Sequence, residues 1–166
     1  MNVTSRRTKP FDTTRSIKNA TKNNLSIKKW TFVADNKTYI WFNKMDRIRI
    51  VRKGIPYESI DVISKKLNKP VKSILDIINL PQTTYNKKKA EHSLLNSQNS
   101  ELILLIFELI DFGLEVFNNE EEKFLRWLTK NNLVLGNNAP ESMLDTITGI
   151  NEVKYSLNRL EFGNLA

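Results

Sequence analysis

Apolar residues recur every three or four positions through much of the chain, a spacing that places them on one face of a helix. The clearest segment spans residues 57–67, in which Ile60, Ile63 and Leu67 share a face. The same pattern predicts further short helices from residue 44 to about residue 53, at residues 71–78 and at residues 82–90. Because a three-residue turn separates the last two, they are typical of a helix-turn-helix.

A longer and more apolar segment follows, from Leu102 to Phe117. Asn96 is its expected cap, because an Asn side chain can accept a hydrogen bond from the first helical turn. The polar residues form one narrow stripe, which consists of Glu101, Glu108, Asp111 and Glu115. A helix that is otherwise apolar is buried on several sides. We therefore expect the central core helix of a domain or the core helix of a dimer, with the stripe facing water.

Two β-prone segments, Trp30–Ala34 and Thr38–Phe42, flank the turn-forming pair Asp35 and Asn36. They predict a β-hairpin, which should pack against other elements because an isolated hairpin is marginally stable in water. Residues 1–28 are rich in Thr, Ser, Asn, Lys and Arg and show no sustained apolar period. This composition predicts a basic, flexible tail.

The composition excludes several kinds of chemistry. The chain has no Cys and a single His, His92, so disulfide frameworks and thiolate metal sites are excluded and Cys or Ser–His catalysis has little basis. Glu108 and Asp111 are paired acids, but a water-facing stripe on an apolar helix explains them better than general acid–base catalysis. We expect no catalytic residues, no metal and no cofactor, which means that the protein is not an enzyme.

The apolar segments are too short to cross or target a membrane. Residues 1–25 lack the apolar core of a signal peptide, and the run 102–107 is ended by Glu108. We expect a cytoplasmic protein with no membrane partner.

The net charge of +8 conceals an uneven distribution. Residues 1–95 hold 21 Lys and Arg against 7 Asp and Glu, a balance of +14, whereas residues 96–166 hold 5 against 11, a balance of −6. Such asymmetry is expected if one half of the chain binds a polyanion and the other half binds a protein. A soluble, lysine-rich protein without a nucleic-acid partner would explain the charge equally well.

The second helix of the predicted helix-turn-helix has the residue types that read DNA. Gln and Asn can pair bidentately with adenine, Thr can contact thymine methyl groups or phosphates, and Lys contributes charge toward phosphates. The candidate DNA-binding residues are Gln82, Thr83, Thr84, Tyr85, Lys87, Lys88 and Lys89. The alternative is a basic helix face that only contacts water.

The last forty residues contain turn-forming residues in a distinctive order. Pro140 suits the first turn of a helix, Gly149 suits the end of that helix, and Gly163 suits the end of the next one. The pattern predicts a compact helical hairpin that follows a helix containing Trp127, whose ring we expect to be mostly buried.

From about Arg47 to Ala166 the chain resembles antitoxins of the Xre/MbcA/ParS type from type II RES-Xre toxin-antitoxin systems. The N-terminal part of the resemblance lies in Gly54-Ile-Pro, Leu80-Pro-Gln-Thr-Thr-Tyr and Leu95-Asn-Ser-Gln-Asn-Ser. The C-terminal part lies in Trp127-Leu, Leu135-Gly, Pro140, Leu144, Thr146, Gly149, Val153, Leu157, Arg159, Glu161 and Gly163. Two departures are Asn86-Lys-Lys-Lys in place of an Arg-rich stretch and Asn137 in place of a second Gly.

The resemblance implies an antitoxin that occludes the active site of a RES-domain toxin, which consumes NAD, and that represses its own promoter as a homodimer. It implies toxin contacts near the C-terminus, for which the candidate residues are Arg159, Glu161, Phe162, Gly163 and Asn164. The alternative function is a stand-alone helix-turn-helix transcriptional regulator without a toxin.

The expected architecture is mainly α. Its parts are a basic tail at 1–28, a possible hairpin at 29–43, an Xre-like helix-turn-helix domain at 44–95, a core or dimer helix at 96–118 and a toxin-binding domain at 119–166.

Overall fold

The computed structural model describes residues 28–161, and within them the chain is mainly α, as predicted. The hairpin strands are β1 (Trp30–Ala34) and β2 (Lys37–Trp41). The helices are α1 (Lys44–Lys53), α2 (Ser59–Lys66), α3 (Val71–Ile77), α4 (Gln82–Ala90), α5 (Ser97–Val116), α6 (Glu121–Thr129) and α7 (Ile147–Glu161). Two 3₁₀ turns, Leu133–Leu135 and Pro140–Met143, lie between α6 and α7. The predicted flexible tail lies outside the described residues, except for Lys28.

The predicted hairpin is present and packs against the core. Its strands are antiparallel with Trp30 opposite Trp41, and the turn residues Asp35 and Asn36 have φ of 48° and 57°, as a tight two-residue hairpin turn requires. The inner face presents Phe32, whose ring stacks on Phe107 of α5 at 4.3 Å between centroids. The hairpin is therefore held by the long apolar helix.

Local signals set the ends of the helices, and the sequence predicted two of them, the end of α1 at Gly54 and the cap of α5 at Asn96. The side chain of Asn43 caps α1, and Gly54, with φ of 83°, ends it. The side chain of Asn96 accepts a hydrogen bond from the Asn99 amide and caps α5. Helix α4 has the predicted bounds.

Several helices end in a left-handed residue that is not glycine. Asn68, Asn79, His92 and Asn118 follow α2, α3, α4 and α5, and their φ values lie between 49° and 53°. In each case the next residue donates a backbone hydrogen bond to a carbonyl five positions earlier, which is the pattern of a Schellman motif.

Helix α5 is the centre of the core. Its residues from Leu102 to Ile110 are all buried, and α1, α2, α6, α7 and the hairpin pack around it. Because these elements cover the apolar surface of α5 within one chain, the structure matches the core-helix interpretation.

Glu108 corrects the prediction of a water-facing acidic stripe. Its residue surface is only 7% exposed, and its carboxylate accepts hydrogen bonds from Trp41 Nε1 (2.9 Å), Arg47 Nη1 (2.6 Å) and Lys154 Nζ (3.1 Å). Burial raises the pKa of a carboxyl, but the Arg47 hydrogen bond and the Lys154 charge outweigh this effect and hold the pKa of Glu108 below its ordinary value of 4.5. The stripe is therefore interrupted at Glu108, where β2, α1 and α7 bring donors, whereas Glu115 is exposed as predicted.

Gly149 does not end a helix, so the predicted helical hairpin is wrong. It lies in the first turn of α7, where its amide donates to Thr146 Oγ1 at 3.0 Å. A Cβ at this position would lie 2.0 Å from the carbonyl oxygen of Met143. Glycine is therefore needed because the preceding 3₁₀ turn packs directly on the helix. Pro140 does start that turn, whereas Gly163 lies outside the described residues.

Trp127 is half-buried, so the prediction of a mostly buried ring holds in part. Its ring packs against Phe117 and Phe124, with centroids 5.9 Å and 6.4 Å away. These aromatic contacts join α6 to the end of α5.

Replacing Glu108 with Gln should lower the free energy of unfolding by about 3–5 kcal/mol, because Arg47 and Lys154 would stay buried without their carboxylate. Urea denaturation at pH 7 measures this. Glu115→Gln is the matched control, since Glu115 is exposed on the same helix and pairs with Lys28 at the surface. Glu115→Gln should lower the free energy of unfolding by no more than about 1 kcal/mol. Equal losses in the two variants would contradict the buried network.

The same carboxylate should make stability depend on acid pH. Because the pKa of Glu108 is lowered in the folded state, its contribution is complete above about pH 5 and is lost as the pH falls through the folded-state pKa. The difference in unfolding free energy between the wild type and Glu108→Gln should therefore shrink below about pH 4.5. A difference that stays constant down to pH 3 would contradict the lowered pKa.

Candidate nucleic-acid and partner-binding surfaces

Helices α3 and α4 form the predicted helix-turn-helix. Ile74 and Leu75 anchor α3 in the core, and Asn79, with φ of 51°, turns the chain between the helices. The Leu80 amide donates to the Leu75 carbonyl at 2.9 Å, which fixes the turn. Helix α4 is thereby held at the surface with one face toward solvent.

The solvent face of α4 holds part of the predicted DNA-binding set. Gln82, Thr83 and Lys87 are exposed, and Thr84 is half-buried. Asn86, which lies within the predicted recognition stretch, is exposed between them and accepts a hydrogen bond from Gln82 Nε2 at 3.0 Å. Amide side chains contain both the donor and the acceptor that bidentate recognition of an adenine edge requires.

Tyr85 does not lie on this face, which corrects its prediction as a DNA-contact residue. It is only 4% exposed, and its hydroxyl donates to Asp61 Oδ1 of α2 at 2.7 Å. Burial raises the pKa of the Tyr85 hydroxyl. Tyr85 is the one buried residue of α4, so it attaches this helix to the core.

The three lysines of α4 differ in their surroundings. Lys89 Nζ donates to Asp61 Oδ2 at 2.7 Å and to the Tyr85 hydroxyl at 3.0 Å. Burial lowers the pKa of Lys89, but these bonds and the charge of Asp61 outweigh it and raise the pKa to about 12. Lys88 pairs with Glu91 at 3.0 Å. Lys87 has no ion pair among residues 28–161, so its charge is the most available to a phosphate.

The C-terminal unit consists of α6, the two 3₁₀ turns and α7. The buried face of α7 includes Val153 and Leu157, which pack into the core that α5 shares. Asn132 Nδ2 donates to Ser156 Oγ at 3.2 Å and thereby ties the first 3₁₀ turn to α7. These contacts leave the opposite face of α7 open to solvent.

Two of the predicted toxin-contact residues lie on the last turns of α7, where Arg159 and Glu161 are exposed. Phe162, Gly163 and Asn164 lie outside the described residues. The sequence analysis missed Tyr155, which is 60% exposed and lies one turn before Arg159. Helical spacing could have found it, because Tyr155 falls away from the buried face of α7.

A second exposed apolar feature in this unit is Leu133, which is 86% exposed, with Val134 beside it. Both belong to the first 3₁₀ turn. No sequence period marks them, because they lie in a short turn between asparagines. Exposed apolar side chains of this kind are common at protein interfaces.

Two ion pairs join the helix-turn-helix half of the chain to the C-terminal half. Lys66 Nζ lies 3.5 Å from Asp111 Oδ1, and Lys69 Nζ lies 2.7 Å from Glu141 Oε2. Together with the packing of both halves on α5, these pairs hold the two candidate surfaces in one structure. None of the helices within residues 28–161 is long and apolar enough to cross a membrane.

The fold and its surfaces define a helix-turn-helix protein with an additional C-terminal helical domain. Residues 46–108 match the antitoxin Xre-like helix-turn-helix domain, and residues 113–163 match the antitoxin Xre/MbcA/ParS C-terminal toxin-binding domain. The chain belongs to the Xre/MbcA/ParS family of antitoxins.

Similar proteins agree with this placement. The chain is 26% identical to the antitoxin Xre of Photorhabdus laumondii over 69% of its own length and 77% of that protein. It is 26% identical to the antitoxin Xre of Yersinia enterocolitica over 68% of its own length and 76% of that protein. It is 28% identical to the Prs ADP-ribosylating antitoxin of a Sphingobium species over 74% of its own length and 82% of that protein.

Tyr85→Phe should lower the free energy of unfolding by about 1–2 kcal/mol, because Asp61 and Lys89 lose a hydrogen-bond partner. Thermal or urea denaturation measures this. Gln82→Ala on the exposed face of the same helix should change stability by less than about 0.5 kcal/mol. If Tyr85→Phe were as neutral as Gln82→Ala, the buried hydroxyl would not support α4.

Proposed function

We propose that this antitoxin neutralises a RES-domain, NAD-consuming toxin by occluding its active site, without any turnover of its own. The observation that carries the proposal is the match of residues 113–163 to a toxin-binding domain. One relative is named as an ADP-ribosylating antitoxin, and ADP-ribosylation is a reaction that consumes NAD. This name supports a toxin of NAD chemistry as the partner.

The surface of α7 offers a physical route to inhibition. Arg159 and Glu161 are exposed on its last turns, immediately before Phe162, Gly163 and Asn164. In this proposal Arg159 meets the acidic or phosphate-binding features of the toxin pocket, while Phe162 fills apolar volume. Tyr155 extends the contact along α7 because it lies one turn earlier and is exposed.

We further propose that the N-terminal half binds promoter DNA, so that the protein represses its own operon in the cytoplasm. The support is the exposed face of α4, formed by Gln82, Thr83, Asn86 and Lys87, together with the +14 balance of residues 1–95. Amide side chains can read adenine, and the charges contribute affinity toward phosphates.

The proposed homodimer needs a surface other than α5, whose apolar residues are covered within the chain. Apolar side chains are exposed on β2 and α1 and between them. They are Ile40, Phe42, Met45 and Ile48. We propose this group as the contact between two copies, because several large apolar side chains exposed within nine residues are more typical of an interface than scattered single ones.

Deleting residues 162–166 should abolish protection of cells that express the toxin encoded beside this gene, while α7 stays intact. Colony survival after toxin induction measures protection, and circular dichroism checks that the fold is retained. Lys87→Ala is the matched control, because it alters only the DNA surface and should protect fully. Full protection by the truncated chain would exclude occlusion by the C-terminus. Failure of the full-length chain to protect would favour the stand-alone regulator.

Lys87→Ala should weaken operator binding and reduce the slope of log K against log salt by about 1, because one phosphate contact is lost. Lys89→Ala should change the slope less, since Lys89 is already bonded to Asp61. Fluorescence anisotropy with operator DNA between about 50 and 200 mM salt measures both. Equal slopes for Lys87→Ala and the wild type would remove Lys87 from the DNA interface.

A further inference from the structure

Three side chains that are distant in sequence meet at one edge of the helix-turn-helix. Asp35 belongs to the hairpin turn, Glu58 immediately precedes α2, and His92 follows α4. His92 Nδ1 lies 3.0 Å from Asp35 Oδ1 and 3.8 Å from Glu58 Oε1. Each of the three residues has one atom that could ligate a metal, and these three atoms lie within 4.8 Å of one another.

The two carboxylates have unused capacity to bind a cation. Glu58 Oε2 is buried and has no hydrogen-bond partner among the described residues. This oxygen is therefore available to bind a cation.

His92 is the only histidine of the chain. It ends α4 with φ of 49°, whereas the comparable positions after α2, α3 and α5 are Asn68, Asn79 and Asn118. Asparagine therefore suffices for such a helix end in this chain. Histidine at this one position brings an imidazole nitrogen to the two carboxylates.

The donor set selects a class of cation. Mg²⁺ and Ca²⁺ prefer oxygen ligands alone, whereas an imidazole nitrogen with carboxylates suits Zn²⁺ and related transition metals. Metal–ligand bonds of about 2.0–2.2 Å in a tetrahedral site place donor atoms roughly 3.3 Å apart. The distances from His92 to Asp35 and Glu58 are close to this value, so small side-chain rotations suffice.

We propose that Asp35, Glu58 and His92 bind a divalent transition-metal cation, with Zn²⁺ as the best fit and water completing the coordination. The two carboxylates balance the charge of the cation. The metal joins the hairpin turn to the start of α2 and the end of α4. It therefore stabilises the position of the candidate DNA-reading helix. The sequence analysis expected no metal, because the ligands are brought together only by folding.

The test is isothermal titration of the full-length chain, without a histidine tag, with ZnCl₂. The expected result is one saturable site in the wild type. His92→Gln and Asp35→Asn should each weaken Zn²⁺ binding by about tenfold or more. Zn²⁺ should raise the thermal midpoint of the wild type but not of His92→Gln. A Co²⁺ titration should give the visible absorption bands of a nitrogen-ligated site in the wild type alone.

Glu122→Gln is the matched control, because Glu122 belongs to the exposed acidic run at the start of α6. It should bind Zn²⁺ as the wild type does, and a tenfold excess of Mg²⁺ should not displace the Zn²⁺. No saturable binding up to about 1 mM would overturn the proposal and leave only a hydrogen bond between His92 and Asp35. Equal affinities of the wild type and His92→Gln would also overturn it. Neither result would affect toxin neutralisation, which involves other residues.

Discussion

A single buried carboxylate determines how the parts of this antitoxin are arranged. Glu108 lies on the central helix α5, and its donors come from β2, α1 and α7 through Trp41, Arg47 and Lys154. Burying a charge is unfavourable unless it is paired and hydrogen-bonded, so all three donors must be in place at once. The network therefore fixes the hairpin, the start of the helix-turn-helix half and the C-terminal helix relative to one another.

The sequence predicted those helices whose ends are set by residues only a few positions away. Caps such as Asn96, the stop at Gly54 and the short turn before α4 act within a few positions, so the pattern placed these helices well. The predictions for Glu108 and Gly149 were wrong for the same reason. The burial of Glu108 depends on donors from distant segments, and the role of Gly149 depends on a backbone carbonyl that packs onto α7. Neither partner can be found from local spacing.

At the candidate surfaces, too, local sequence predicted some features, whereas others depend on distant segments. Residue type correctly indicated an exposed face on α4, but composition could not separate Lys87 from Lys89, whose partner Asp61 lies on another helix. Tyr85 has a residue type common in DNA interfaces, yet the packing of α4 on α2 buries it. On α7, Arg159 was predicted from a family resemblance, whereas Tyr155 was missed although helical spacing places it away from the buried face. Both surfaces are thus products of tertiary packing.

The helix ends formed by asparagine have a consequence for the unfolded chain. Only two glycines among the described residues, Gly54 and Gly136, adopt positive φ, whereas eight non-glycine residues do so. Each of these residues pays a conformational cost in the folded state that glycine would avoid. Glycine, however, has more freedom to lose when the chain folds. Asparagine at these helix ends therefore leaves the unfolded chain fewer conformations than glycine would. The smaller loss of entropy on folding offsets part of the backbone strain in the folded state.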